Sequence, residues 1–333
     1  MQANNIRWLA ASFYTSRVRL WARIFSWAVV VFPAGAWQAL LEQPSLQHSA
    51  CGQEAGAFGQ EAGTTSAATK GSKEGSEVYK VRVQFDVPYQ KDGDSAQVAD
   101  IYLPVRGDIE HAPRLPGVLL IHGGAWIAGD KRFDSGHARK IAQRGYVVMA
   151  INYRLAPKHK HPAQVDDCRQ ALRWLAEHAD EYHLDVENLG VWGYSAGGHL
   201  AALMSTDRKE SDPPIRVCVA GGAPCDLSMI PEDSRALAGF LGGTRRKLSE
   251  IYAQASPIEH VTEDDPPVLL FHGDADELVP IQYAERMRKK LQERSVEHEY
   301  LVLPGKSHIM AFVDPRGMDA SIGFLDRYLK GKR

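Results

Sequence analysis

The chain has 333 residues, with 39 Lys and Arg against 41 Asp and Glu for a formal charge of −2, and 44% hydrophobic composition. That balance excludes a wholly disordered chain, a polytopic membrane protein and a basic nucleic-acid binder, so no nucleic-acid partner is expected. Four cysteines are too few for a disulfide scaffold.

The first residues differ from the rest. Arg7, Arg17, Arg19 and Arg23 precede an uncharged run over 24–41, broken by Pro33 and by the small-x-small triplet Ala34-Gly35-Ala36. Residues 1–36 therefore read as a signal peptide. An uncleaved membrane anchor is the alternative, because 18 uncharged residues reach the lower limit of a span. A misassigned start is the third reading. Either membrane reading exports the remainder to the periplasm or beyond, the membrane being met only through that anchor. Residues 37–77 are rich in Gly, Ala, Ser, Thr and Gln and contain a short repeat, Gly52-Gln53-Glu54-Ala55-Gly56 and Gly59-Gln60-Glu61-Ala62-Gly63. They hold too little apolar surface to offset the entropy of ordering, and read as a flexible tether. Cys51 lacks the apolar residue that lipid-attachment sites favour upstream, so lipidation is not expected. The folded domain is expected over 78–333.

Within it, strands over 78–85 and 98–103 come consecutively and read as an antiparallel start. A third strand over 118–121 runs into His122-Gly123-Gly124-Ala125-Trp126. Glycines there let backbone N–H groups approach a ligand closely, as an oxyanion requires; taken alone, the segment is also an ordinary glycine turn. A helix over 133–143, a strand over 147–151 and a helix over 163–178 follow. The strand over 189–192 ends in Gly193-Tyr194-Ser195-Ala196-Gly197-Gly198, which is G-x-S-x-G set between a strand and a helix over 196–205. That is the nucleophile-elbow context. Beyond a strand over 217–220 lies a charge-rich stretch, 226–261, with no amphipathic lid helix. The strand over 268–271 leads into His272-Gly273-Asp274-Ala275-Asp276, and a helix over 281–294 follows. The last strand, 300–303, leads into Pro304-Gly305-Lys306-Ser307-His308, with a helix over 318–329 closing the chain.

A serine is a poor nucleophile unless a base takes its proton and an acid fixes that base's tautomer. Ser195, Asp276 and His308 satisfy the order nucleophile, acid, base. The N–H groups of Gly123, Gly124 and Ala196 are the oxyanion candidates. Asp274 competes with Asp276 but is read as shaping its turn, and His122 lies too early to be the base. Trp126 and Tyr194 are the substrate-binding candidates, with packing under the loop an equal reading for Trp126. His159-Lys160-His161 lacks a further ligand at metal spacing, so no metal is expected. Gly305-Lys306-Ser307 mimics the end of a phosphate loop, but Tyr300 stands where its first glycine belongs. Cys168, Cys218 and Cys225 read as small, unpaired apolar groups.

From residue 118 onward the strands are continuous Val/Leu/Ile runs, the mark of parallel strands covered on both faces. The fold class is therefore α/β, a doubly wound, mostly parallel sheet with helices on both faces. The elbow, His122-Gly123-Gly124-Ala125-Trp126, Asn152-Tyr153-Arg154-Leu155-Ala156-Pro157 and the Asp276 segment together resemble the α/β-hydrolase superfamily. Within it they look like carboxylesterases of the hormone-sensitive-lipase and feruloyl- and acetylxylan-esterase-like branch. The resemblance covers about 78–329. It implies the α/β-hydrolase fold with an eight-stranded sheet and an antiparallel second strand, no cofactor, and ester hydrolysis through an acyl-enzyme. It also implies Gly123 and Gly124 as oxyanion donors and Ser195, Asp276 and His308 as the triad. Ala125 stands where the lipase branch has a third glycine and Tyr194 where it has an Asp. The tether occupies the place of that branch's helical cap, so an open site is expected.

The expected function is a serine carboxylesterase for short-chain acyl esters, carried on small molecules or as acetyl or feruloyl groups on polysaccharide. A prolyl-oligopeptidase-type peptidase shares the triad order but is disfavoured by the absence of any propeller domain to filter peptides. A catalytically inactive binding module shares the fold but has no use for three intact triad residues.

Overall fold

The structure, a computed structural model, describes residues 78–331 apart from 106 and 108–111. The expected signal peptide or anchor, the tether and Cys51 lie outside the described residues. The strands are β1 Lys80–Pro88, β2 Val98–Val105, β3 Leu115–Ile121, β4 Val147–Ile151, β5 Leu184–Tyr194, β6 Ile215–Gly221, β7 Val268–Gly273 and β8 His298–Leu303. They form one sheet in the order β1-β2-β4-β3-β5-β6-β7-β8. β2 pairs antiparallel with both β1 and β4, and every other pairing is parallel.

The described helices are α1 Ser135–Ala142, α2 Ala163–Glu177, α3 Ala179–Tyr182, α4 Ala196–Thr206, α5 Ala238–Leu241, α6 Ser249–Gln254, α7 Gln282–Glu293, α8 His308–Val313 and α9 Pro315–Leu329. Successive residues of a strand face opposite sides, so one apolar run feeds two cores. Leu119 and Ile121 of β3 pack with Leu172 of α2, Leu200 of α4 and Met287 of α7 on one face. Val118 and Leu120 pack with Ile141 of α1, Ala311 of α8 and Phe324 of α9 on the other. This is the doubly wound architecture expected from the continuous Val/Leu/Ile strands.

Three features depart from the sequence reading. The six residues of α8 are nearly all apolar and carry no helical periodicity. The last helix starts at Pro315, where the Asp314 side chain accepts from the Arg316 N–H and caps it. Residues 226–261 hold two short helices, α5 and α6, and two 3₁₀ turns, Leu227–Met229 and Pro257–His260. Phe240, Leu241, Tyr252 and Ala255 from this insert are buried in the first core. It is therefore a packed part of the domain.

One buried charge ties the sheet's antiparallel edge to the loop that follows β3. Lys131 is almost fully buried, with Nζ 2.6 Å from Asp86 Oδ1 and 2.9 Å from Asp100 Oδ1. An ammonium there is tolerable only because both carboxylates meet it.

Candidate active site

β5 delivers Ser195 at its carboxyl end, and α4 begins at the next residue. Ser195 adopts φ 57° and ψ −124°, a conformation that ordinary side chains avoid. The turn is possible because its neighbours have no side chain. A Cβ on Gly197 would lie 1.9 Å from the Ile121 carbonyl oxygen at the end of β3, and one on Gly193 would lie 2.2 Å from the Gly197 oxygen. The Ser195 N–H donates to the Gly221 oxygen of β6 at 2.8 Å, which fixes the turn from the other side.

The loop after β3 lies against this turn. A Cβ placed on Gly123 would be 3.3 Å from the Ser195 Cβ. Gly124, Ala125 and Trp126 then follow with φ of 123°, 52° and 61°. Three successive residues at positive φ make a tight turn, which the Ile127 and Ala128 N–H groups close on the Gly124 oxygen. His122 braces it from behind. Its Nδ1 lies 2.7 Å from the Gly123 oxygen, its ring stacks on Tyr153 at 4.3 Å, and burial pushes its pKa down. The Tyr153 hydroxyl donates to the His122 oxygen at 2.9 Å, and the Ala156 N–H donates to the Trp126 oxygen. The segment from Asn152 to Pro157 thus buttresses the glycine loop.

On the far side, Asp276 and His308 meet. His308 Nδ1 is 2.6 Å from Asp276 Oδ2. A carboxylate only accepts, so the imidazole proton sits on Nδ1 and Nε2 keeps its lone pair. The other oxygen, Oδ1, accepts the N–H groups of Leu278 and Val279 at 3.0 and 2.8 Å. His272 Nε2 lies 3.3 Å from Oδ2 and also donates to the Val279 oxygen. Burial raises the Asp276 carboxyl, but the hydrogen bonds from His272, His308 and the Val279 N–H outweigh it. The carboxyl is held well below the usual range. Asp274 instead accepts the Gly305 N–H at 2.6 Å, pinning the loop after β8.

Two expected substrate-binding residues are placed otherwise. Trp126 is 4% exposed; its indole stacks on Phe240 at 4.3 Å and donates to His199 Nδ1 at 3.3 Å. Tyr194 is also 4% exposed, and its hydroxyl donates to the His308 oxygen at 2.7 Å. Large aromatic side chains after β3 and at the end of β5 are worth more as core than as open wall, and here they brace loops. The structure brings Gly123, Ser195 and Ala196 together at one turn, and Asp276 and His308 at another anchored to it by Tyr194. Sequence reasoning missed the bracing residues His199 and Phe240, and singled out Tyr153 only as part of the 152–157 motif. The signal for His199 was its spacing, one helical turn past Ser195. Among the described residues no group of His, Cys, Asp and Glu side chains is arranged to hold a metal ion.

Residues 99–291 match the BD-FAE family. Esterase LipC of Mycobacterium tuberculosis is 30% identical over 243 residues, which cover 66% of this chain and 59% of that one. The probable carboxylic ester hydrolase LipM of the same organism is 30% identical over 220 residues, covering 61% and 51%. The chain thus spans between half and three-fifths of the length of these curated relatives. A solved truncated carbohydrate esterase from gut microbiota has a TM-score of 0.68 at 23% identity, covering 76% of this chain and 98% of its own. Match, sheet order and strand-turn-helix geometry agree, and the chain belongs to the BD-FAE family, with the α/β-hydrolase fold.

Proposed function

We propose that the chain is a serine carboxylesterase for short-chain acyl esters, with Ser195 as nucleophile, His308 as base and Asp276 as the acid that orients it. One observation carries the reading. A carboxylate held ionised is hydrogen-bonded at 2.6 Å to an imidazole, on the loop tied by Tyr194 to a strained serine at a helix start. Such a pair has no structural task that a neutral contact would not perform as well.

In the proposed reaction the Ser195 Oγ forms a bond to the ester carbonyl carbon while its proton passes to His308 Nε2. The carbonyl oxygen becomes an oxyanion held by the N–H groups of Gly123, Gly124 and Ala196, whose lone donors act there more strongly than in water. Collapse breaks the bond to the alcohol oxygen, and the alcohol leaves with the proton from His308. Water then attacks the acyl-enzyme by the same route, His308 taking its proton, and the carboxylic acid departs. Asp276 stays ionised throughout and stabilises the imidazolium.

Resemblance to esterases acting on carbohydrate supports acetyl or feruloyl groups on polysaccharide as one source of substrate. The basic and apolar pattern of 1–36 supports export to where such polymers lie. The test is hydrolysis of nitrophenyl acetate and butyrate, with and without a serine-directed phosphonate, followed by peptide mapping. Inhibition with the phosphonate on Ser195 supports the reading; absence of hydrolysis, or label on another residue, rejects it.

A further inference from the structure

The glycine loop is closed from within by the Ile127 and Ala128 N–H groups on the Gly124 oxygen. Ala125 and Trp126 both sit at positive φ, a conformation that side chains disfavour. Something outside the loop must over-determine that shape. Besides the segment 152–157, outside contacts meet the Trp126 indole. One face stacks on Phe240 of the insert, at 3° between planes, and its N–H reaches His199.

His199 is fully buried on α4, and its own backbone N–H donates to the Ser195 oxygen at 2.9 Å. Its Nε2 lies 2.7 Å from the Ala255 oxygen at the end of α6. A carbonyl only accepts, so the ring proton sits on Nε2 and Nδ1 is left as the acceptor that an indole N–H requires. Every polar atom of the ring is used, in one tautomer. One imidazole thus touches three parts at once: the helix that carries Ser195, the oxyanion loop and the insert.

We propose that His199 is a positioning residue for the reaction: through the Trp126 indole it sets the Gly123 and Gly124 N–H groups at the distance the transition state needs. The proposal rests on the reading of Ser195 as nucleophile. The relay is Ala255 oxygen, His199, Trp126, then the glycine loop, and the insert is its fixed end. Burial, with a smaller opposing effect from the Ala255 hydrogen bond, holds the His199 ring down to about 3. His161, whose ring lies 5.6 Å from Phe240, is the other histidine of this cluster and is held down to about 4, mainly by burial. Both stay neutral across the range of an esterase assay, so the relay keeps its tautomer.

The test uses the full chain as His199→Leu, His199→Gln, Trp126→Phe and the double variant His199→Leu/Trp126→Phe. Active sites are counted by phosphonate titration, so that unfolded protein does not enter kcat. The loss of an oxyanion donor lowers kcat by about 10²–10³, and a displaced donor by less. His199→Leu and Trp126→Phe are each expected to lower kcat per titrated site ten- to hundredfold, with KM for nitrophenyl acetate within threefold. A trifluoromethyl ketone, which forms a tetrahedral oxyanion on the serine, should lose affinity in the same ratio. His199→Gln keeps one acceptor and one donor and should recover kcat to within about fivefold of wild type. The double variant should be no worse than the poorer single one by more than twofold, because both break the same link.

Unchanged kcat in both single variants overturns the proposal, and so does a glutamine no better than leucine, which would leave only packing. If His199→Leu yields no titratable protein, Trp126→Phe, which keeps an aromatic ring on Phe240, decides the matter alone. Wild-type chain that neither hydrolyses the ester nor takes the phosphonate rejects the Ser195 reading itself, a result distinguishable from the others.

Discussion

The Ser195 side chain stands partly exposed on a backbone that costs on the order of 1–3 kcal/mol to hold. Ser195→Ala keeps the backbone and removes only the oxygen, so ester hydrolysis should fall by several orders of magnitude while the thermal melt is unchanged. Retention of more than about a tenth of the rate would mean the nucleophile is elsewhere. The two aspartates of the neighbouring loop separate in the same assay. Asp276→Asn should lower kcat by roughly 10³–10⁴, because an amide permits the wrong imidazole tautomer. Asp274→Asn, which loosens only the Gly305 N–H, should cost far less; the reverse order would exchange their roles. Asp276 also shapes acid stability. A carboxyl held below its unfolded value of about 3.9 contributes stability that is fully present above that pH and lost as pH falls below it through the depressed folded value. Relative to wild type, Asp276→Asn should show a flatter dependence of Tm on pH below about 4, measured by calorimetry.

At the scale of elements, the preference for short acyl groups that we propose draws on the insert 226–261. Its apolar side chains Phe240, Leu241 and Tyr252 are committed to the core, and α5 is four residues long. Exposed apolar residues Ile127, Leu278, Ile309 and Met310 come from separate loops and from α8. Each methylene that finds a groove contributes about 0.8 kcal/mol, so a chain with none to enter gains nothing from length. Activity on nitrophenyl esters should peak between acetate and butyrate and fall beyond about C6. A maximum at C10 or longer rejects the short-acyl reading. The strands were legible because a buried parallel strand is a plain run of Val, Leu and Ile, and the elbow because its glycines are spaced by a backbone clash. The helix α8 was not legible, since His308-Ile309-Met310-Ala311-Phe312-Val313 has no polar side to reveal a period. Nor was the fate of Trp126: an aromatic after a glycine loop suits a pocket wall as well as a buried strut, and the choice depends on Phe240 and His199, 114 and 73 residues away in the chain.

For the whole molecule, the pattern over 1–36 predicts that secreted protein begins at Trp37, which N-terminal sequencing of the purified material checks. An intact Met1 on membrane-bound protein would favour the anchor, and an intact Met1 in the cytosol would reject both. Among the described residues no helix is long and apolar enough to cross a membrane. Within the folded domain Cys168, Cys218 and Cys225 are unpaired, and none has measurable contact with solvent. Burial pushes all three thiols up, Cys218 to about 12. An alkylating reagent needs the thiolate and a path to it, and the native fold denies both. The three side chains are therefore a built-in clock for opening. In a Cys51→Ser background, pulses of iodoacetamide should add no mass to the native chain and three adducts once it unfolds. The rate at which the adducts appear measures how often the domain opens. Cys168 sits on α2, whereas Cys218 lies in β6 and Cys225 just after it, so separate adduct rates would tell whether a helix lifts away before the sheet parts.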